Sequence, residues 1–192
     1  MLKNKLKKNE LTIGSWIMIG ESTSVEVMAQ VGFDWLAIDI EHTSFNLETV
    51  KNLIQIIQSK NIKALVRVSK NEEVIIKKIL DMGADGIIVP MVCSKNDAIQ
   101  AINFSKYPPD GKRGVGLSRA SQYGDKFEEY KKWVQDELIV IAQVEHIDAV
   151  NNIDQIIKVD GIDGILIGPY DLSASMGNPG KFEEKNVKNA IK

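Results

Sequence analysis

A single cysteine, Cys93, stands in the 192 residues, so no internal disulfide can form, and no C-x-x-C or Cys/His knuckle offers a zinc site. This scarcity fits a reducing compartment, and a cytoplasmic protein is expected. Long apolar runs are missing too. The richest stretches, residues 87–92 and 138–144, are of strand length, far short of the roughly 18 residues that cross a bilayer. The Lys- and Asn-rich start, residues 1–9, leads into Glu10 and Gly14 and not into an apolar segment, so it reads as a solvated leading turn. Nor is there an excess of either charge. With 24 Lys+Arg against 26 Asp+Glu, the formal net charge is −2, which supplies no field for gripping a phosphate backbone. Nucleic acid and membrane are set aside as partners, and a small molecule is favoured.

What is present, 44% hydrophobic and 26% charged residues, is enough to bury a core and too apolar for disorder; one domain over residues 1–192 is expected. Seven β-rich runs, residues 12–17, 35–40, 63–68, 86–92, 113–116, 138–144 and 164–167, recur at about 25-residue intervals. Helical stretches at 22–29, 47–58, 72–82, 95–104, 125–133 and 150–158 lie between them. Val50, Leu53, Ile54 and Ile57 follow the i, i+3, i+4, i+7 stripe of a helix buried on one face. Gly32, Gly83 and Gly161 sit where left-handed C-caps would end helices before strands. This alternation predicts a parallel sheet with crossover helices.

A (β/α)8 TIM barrel is favoured over a doubly wound sheet for two reasons. Polar residues gather at the C-terminal ends of several strands, and no G-x-G-x-x-G follows the first strand. An eighth strand would be centred near residue 190, where the sequence reads as a helix or its approach. The expectation is therefore a barrel truncated after its seventh strand, without the eighth strand and the C-terminal helices, closed by a partner if at all.

Side chains alternate across a strand, so Asp39 and Glu41 share a face, and His42 falls just beyond the strand end. An imidazole there could take a proton near neutral pH; a loop histidine bonded to backbone is the plainer alternative. Arg67, between Val66 and Val68, needs an anion or a neighbouring acid to be buried. Gln143 and Glu145 share the inward face of the sixth run, while His146, of opposite parity, should point away. Asp171 could cap a helix. Glu145 and Asp171 together offer two hard oxygen ligands with open positions, the preference of Mg²⁺ or Mn²⁺ and not of a closed zinc site.

The segments Asp34-Trp35-Leu36 through Asp39, Glu41-His42, Ile88-Val89-Pro90-Met91-Val92, Tyr107-Pro108-Pro109 through Gly111, Arg113-Gly114-Val115-Gly116, Gln143-Val144-Glu145 and Gly168-Pro169-Tyr170-Asp171-Leu172-Ser173-Ala174-Ser175-Met176-Gly177 resemble the HpcH/HpaI aldolase family, in order and over essentially the whole chain. The resemblance implies a metal-dependent class II pyruvate aldolase that cleaves a 4-hydroxy-2-oxo acid to pyruvate and an aldehyde through a metal-bound enolate. It further implies His42 as catalytic base, Arg67 as the group stabilising the enolate, and Asp81 as the acid that raises the basicity of the histidine. Glu145 and Asp171 would be metal ligands, and Gln143 with the backbone of Tyr170 and Asp171 would hold the oxo acid. The cation would be Mg²⁺ or Mn²⁺, with Co²⁺ admissible, and the assembly a homo-oligomer, a hexamer by the resemblance. Three alternatives stay open: a Schiff-base aldolase using Lys70, a lyase acting on an acyl-CoA thioester, and a non-catalytic barrel serving binding or assembly.

Overall fold

The computed structural model describes residues 2–192. Six strands form one parallel sheet in sequence order: β1 (Gly14–Ile17), β2 (Trp35–Asp39), β3 (Lys63–Arg67), β4 (Gly86–Val89), β5 (Ile139–Val144) and β6 (Gly164–Ile167). Helices α1 (Leu2–Lys7), α2 (Ser22–Met28), α3 (Leu47–Ser59), α4 (Glu73–Asp81), α5 (Lys95–Ser105) and α6 (Phe127–Asp136) precede β5. The short α7 (Ile147–Asn151) and α8 (Ile153–Ile156) connect β5 to β6, and α9 (Pro169–Ser175) and α10 (Lys185–Ile191) follow.

Strand alternation sorts the core into two parts. Leu36, Ile38, Val66, Ile87, Val89, Val140, Ala142 and Val144 face outward and pack with the buried stripes of the helices, among them Val50, Leu53, Ile54 and Ile57 of α3. Each such fully buried aliphatic side chain stabilises the fold by about 2 kcal/mol. Ala37, Leu65, Ile88 and Ile139 face inward with Trp16, Trp35, Ile141 and Leu166, and Leu2 and Leu6 of α1 join them from below. The sheet is thus a curled half-barrel with helices outside and a small apolar floor inside. Gly32, Gly83 and Gly161 take φ of 95°, 92° and 98°, the left-handed conformation expected of them after helices.

One expected strand is absent. Residues 113–116 form no ladder, and β4 pairs directly with β5, Gly86 opposite Ile139 and Val89 opposite Ala142. The reason lies in Arg113. Its guanidinium is buried outside the sheet, donating to Asp81 at 2.6 Å and to the Tyr130 hydroxyl at 3.2 Å, and stacking 4.7 Å over Tyr107. Burial pushes the Tyr107 hydroxyl up to about 12, although Arg113 pulls the other way. The chain from 106 to 126 is instead a connection over the outer face of α4, ending in a 3-10 turn, Arg119–Gly124. Among the described residues the sheet therefore has six strands where seven were expected. β4 also stops at Val89, because Pro90 has no N–H to donate and Met91 takes φ 52°. The helix expected over 150–158 is split into α7 and α8, which begin where the His146 side chain caps the backbone N–H of Asp148.

Candidate active site

Active sites of βα barrels form where the strands end, and here the C-terminal ends of β2, β3 and β5 carry a continuous polar set above the apolar floor. Asp39 and Arg67 are direct neighbours in the ladder. Arg67 grips the buried Asp39 carboxylate with two arms, Nη2 to Oδ2 at 2.6 Å and Nε to Oδ1 at 3.0 Å. Oδ1 also accepts the backbone N–H groups of Glu41 at 3.0 Å and His42 at 3.3 Å. The turn that presents His42 is therefore built on the same carboxylate that holds the guanidinium. Burial alone would raise the Asp39 pKa; the Arg67 bond and these N–H groups outweigh it and hold the carboxyl below its usual value. Trp16 of β1 lies under Arg67, its ring 4.7 Å from the guanidinium carbon.

The network continues inward. Arg67 Nη1 approaches Gln143 Oε1 at 3.5 Å, Gln143 Nε2 donates to Glu145 Oε2, and Glu145 Oε1 accepts the Met91 N–H at 2.7 Å. The left-handed turn at Met91 aims that N–H. Gln143 and Glu145 are both buried on the inward face, as their parity predicts. Gly168 then lets the backbone after β6 press against Glu145: a Cβ there would fall 2.8 Å from Glu145 Cβ and 2.9 Å from Oε2. Asp171 lies in the exposed first turn of α9, three residues beyond this contact.

Glu41 completes the set. Its Oε2 is 3.3 Å from Arg67 Nε and 3.6 Å from His42 Nε2, yet has no hydrogen-bond donor. Burial first, and the charge of Glu145 second, raise its pKa. Three carboxylates, Asp39, Glu41 and Glu145, thus face one guanidinium, and the excess negative charge is what a divalent cation would answer. Among the described residues no three His, Cys, Asp or Glu side chains converge on one point, so a cation resting on Glu145 and Asp171 would complete its shell with oxygens of water or substrate. The hard-oxygen donor set fits Mg²⁺-type ions.

The structure brings Arg67, Gln143 and Glu145 together with Asp39 and Glu41, with His42 at the rim and its side chain 56% exposed. Within one chain it does not bring Asp81 beside His42. α4 runs back from the strand ends and delivers Asp81 to the opposite end of the sheet, shortly before Gly86, where it pairs with Arg113. The acid that pairs with Arg67 is Asp39, so a bound anion is not needed to explain that buried charge. Tyr170 turns its exposed ring edge-on to Phe182, with centroids 4.8 Å apart, leaving only its backbone for the site. His146 is occupied as the cap of α7. Sequence reasoning missed Trp16 and Gly168, and read Met91 as pocket lining or core without the role of its backbone N–H toward Glu145; the period-2 placement of Trp16 in β1 was the one available signal.

The profile of the HpcH/HpaI aldolase/citrate lyase family matches residues 12–192. The chain is 41% identical over 191 residues to a 4-hydroxy-2-oxo-heptane-1,7-dioate aldolase of Shigella sonnei, covering 98% of this chain and 72% of that protein. A protein of the same name from Salmonella dublin is 42% identical over the same shares. The crystal structure of a HpcH/HpaI aldolase/citrate lyase family protein from Burkholderia cenocepacia J2315 superposes with a TM-score of 0.93 at 31% identity, over 99% of this chain and 77% of that one. On sequence and on fold alike, this chain belongs to the HpcH/HpaI aldolase/citrate lyase family.

Proposed function

We propose that the chain is a divalent-metal-dependent aldolase, a carbon–carbon lyase that releases pyruvate and an aldehyde from a 4-hydroxy-2-oxo acid. The observation that carries the reading is the run of contacts from Asp39 through Arg67 and Gln143 to Glu145 across the strand ends. The names of the relatives support it.

Arg67, held on two sides by Asp39, presents its Nη1 edge to the 2-oxo oxygen, where negative charge develops as the C3–C4 bond breaks. A donor fixed before the reaction stabilises that charge without reorganising. Gln143 orients the oxo acid from its buried amide, and the N–H groups of Tyr170 and Asp171, which open α9 without intrahelical acceptors, meet its carboxylate. Glu145 and Asp171 would hold the cation, Mg²⁺ or Mn²⁺ with Co²⁺ admissible. When bound, it supplies Lewis-acid polarisation of the substrate's carboxylate and 2-oxo oxygens. His42 takes the 4-hydroxyl proton at the rim as the aldehyde forms. Lys70, the lysine a Schiff-base route would use, is 72% exposed and 3.6 Å from Glu72, without the desolvation that makes a lysine nucleophilic. The substrate pair is a 2-oxo acid and an aldehyde, and the working form a homo-oligomer.

The test is pyruvate release from 4-hydroxy-2-oxo-heptane-1,7-dioate with Mn²⁺ or Mg²⁺. EDTA is expected to abolish turnover and added metal to restore it, while Glu145→Gln lowers Mn²⁺ affinity by about tenfold or more in a titration. EDTA-resistant turnover, or a pyruvate adduct trapped on Lys70 by borohydride, would overturn the reading.

A further inference from the structure

Between the turn after β3 and the turn after β4 the strand-end face opens into a cavity of about 270 Å³. Glu41 and Met91 stand on its inner side, where they also meet Arg67 and Glu145, so the cavity is continuous with the catalytic set. Its outer walls are Lys70, Asn71 and Glu72 after β3 and Asp97 of α5. The oxo-acid end of the substrate is assigned to β5 and β6, with Gln143, Glu145 and the start of α9, and the 4-hydroxyl to His42 after β2. The carbons beyond C4 must turn aside from that line, and this cavity is the recess that flanks it.

The chemistry of the walls is one-sided. Three carboxylates, those of Glu41, Glu72 and Asp97, stand against the single ammonium of Lys70, which is exposed and 3.6 Å from Glu72. Asp97 accepts the Cys93 N–H and the Ser94 hydroxyl, which solvate its charge without cancelling it. Asn71 donates its amide to the Asp97 carbonyl at 2.9 Å, while its Oδ1, shielded from solvent, has no donor. Held by one hydrogen bond, the amide needs only a small turn to present Oδ1 to the cavity. A tail ending in a second carboxylate would bring a fourth negative charge among these groups, whereas a hydroxyl supplies the donor that Asn71 lacks.

We propose that this cavity selects the aldehyde half of the substrate and that Asn71 is its specificity-determining residue, accepting a hydroxyl on the carbon next to the aldehyde. The preferred substrate is then a 4,5-dihydroxy-2-oxo acid, and the product beside pyruvate a short 2-hydroxyaldehyde. This assignment rests on the aldolase reading and adds to it the class of aldehyde. Arg67, Gln143 and Glu145 handle the pyruvate half alike for every aldehyde, so discrimination belongs to Asn71 and to the charge of the walls.

The test runs the condensation direction with pyruvate and Mn²⁺. It compares kcat/KM for glycolaldehyde, for propanal, which has a methyl group in place of the hydroxyl, and for succinic semialdehyde, which ends in a carboxylate. Glycolaldehyde is expected to exceed propanal about tenfold or more, because a site that bonds a hydroxyl rejects the analogue without one. Asn71→Leu is expected to bring glycolaldehyde down to the level of propanal. Glu72→Lys, a change on an exposed side chain, is expected to raise the ratio of succinic semialdehyde to glycolaldehyde about threefold or more. Equal use of glycolaldehyde and propanal by the wild-type chain, a ratio unmoved in Asn71→Leu, or a preference for succinic semialdehyde that Lys70→Met removes would each overturn the proposal and leave the aldolase reading standing. A wild-type chain that neither condenses any of the three aldehydes nor decarboxylates oxaloacetate would instead bring down the aldolase reading itself.

Discussion

At residue scale the site depends on close approaches that leave no slack. Gly168 has φ −98°, a conformation open to any L-residue, so its lack of a side chain serves space and not backbone freedom. A methyl group there would meet Glu145 at 2.8–2.9 Å, inside van der Waals contact. Gly168→Ala is therefore expected to displace the Glu145 carboxylate and weaken Mn²⁺ binding by about tenfold, with a loss of 1–3 kcal/mol in stability at most about what a misfitted core methyl costs. Calorimetric titration and a urea melt would check the two effects separately, and unchanged Mn²⁺ affinity would count against Glu145 as a ligand. Alternation along β2 and β5 was enough to put Asp39, Glu41, Gln143 and Glu145 on one inward face. What alternation could not supply was the pairing: nothing local to Arg67 distinguishes an anchoring Asp39 from a bound anion, because the two meet across a ladder 28 residues apart.

At the scale of elements, the regular βα rhythm carried the reading as far as β4 and failed in the connection to β5. Residues 113–116 mimic a short strand, yet with Gly114 and Gly116 they have few side chains to pack, and the one large group, Arg113, is claimed by α4 and α6. That claim depends on tertiary contacts with Asp81, Tyr107 and Tyr130, none of which a local pattern reveals. The direction of α4 follows from its place between two parallel strands: a helix returning to the next strand carries its last residue away from that chain's own strand ends, so within one chain Asp81 meets Arg113 and not His42. Arg113→Met would keep much of the aliphatic stem but strand Asp81, which is 22% exposed, and remove the cation above Tyr107. A destabilisation of about 3 kcal/mol is expected, read as a lower urea midpoint with unchanged slope. A change below about 0.5 kcal/mol would mean that the cluster does not anchor this connection.

On the scale of the whole molecule, the sheet ends in β1 and β6, neither of which has a second partner among the described residues. On the helix side of β6, Ile165 and Ile167 are 43% and 39% exposed, an apolar strand face beside open backbone groups. Closed barrels pair such an edge with further strands.

Lys3 adds a different kind of closure. From α1 its ammonium reaches the Leu138 carbonyl at 2.5 Å and Asp163 at 3.1 Å, contacts spanning 135 and 160 residues. During synthesis the Lys3–Asp163 pair cannot form until the beginning of β6 has left the ribosome, although Lys5 can already meet Asp34 and Leu2 can already reach the inner face of β2. The contact that ties α1 to the far side of the half-barrel floor is thus a late one, however early the helix meets β2.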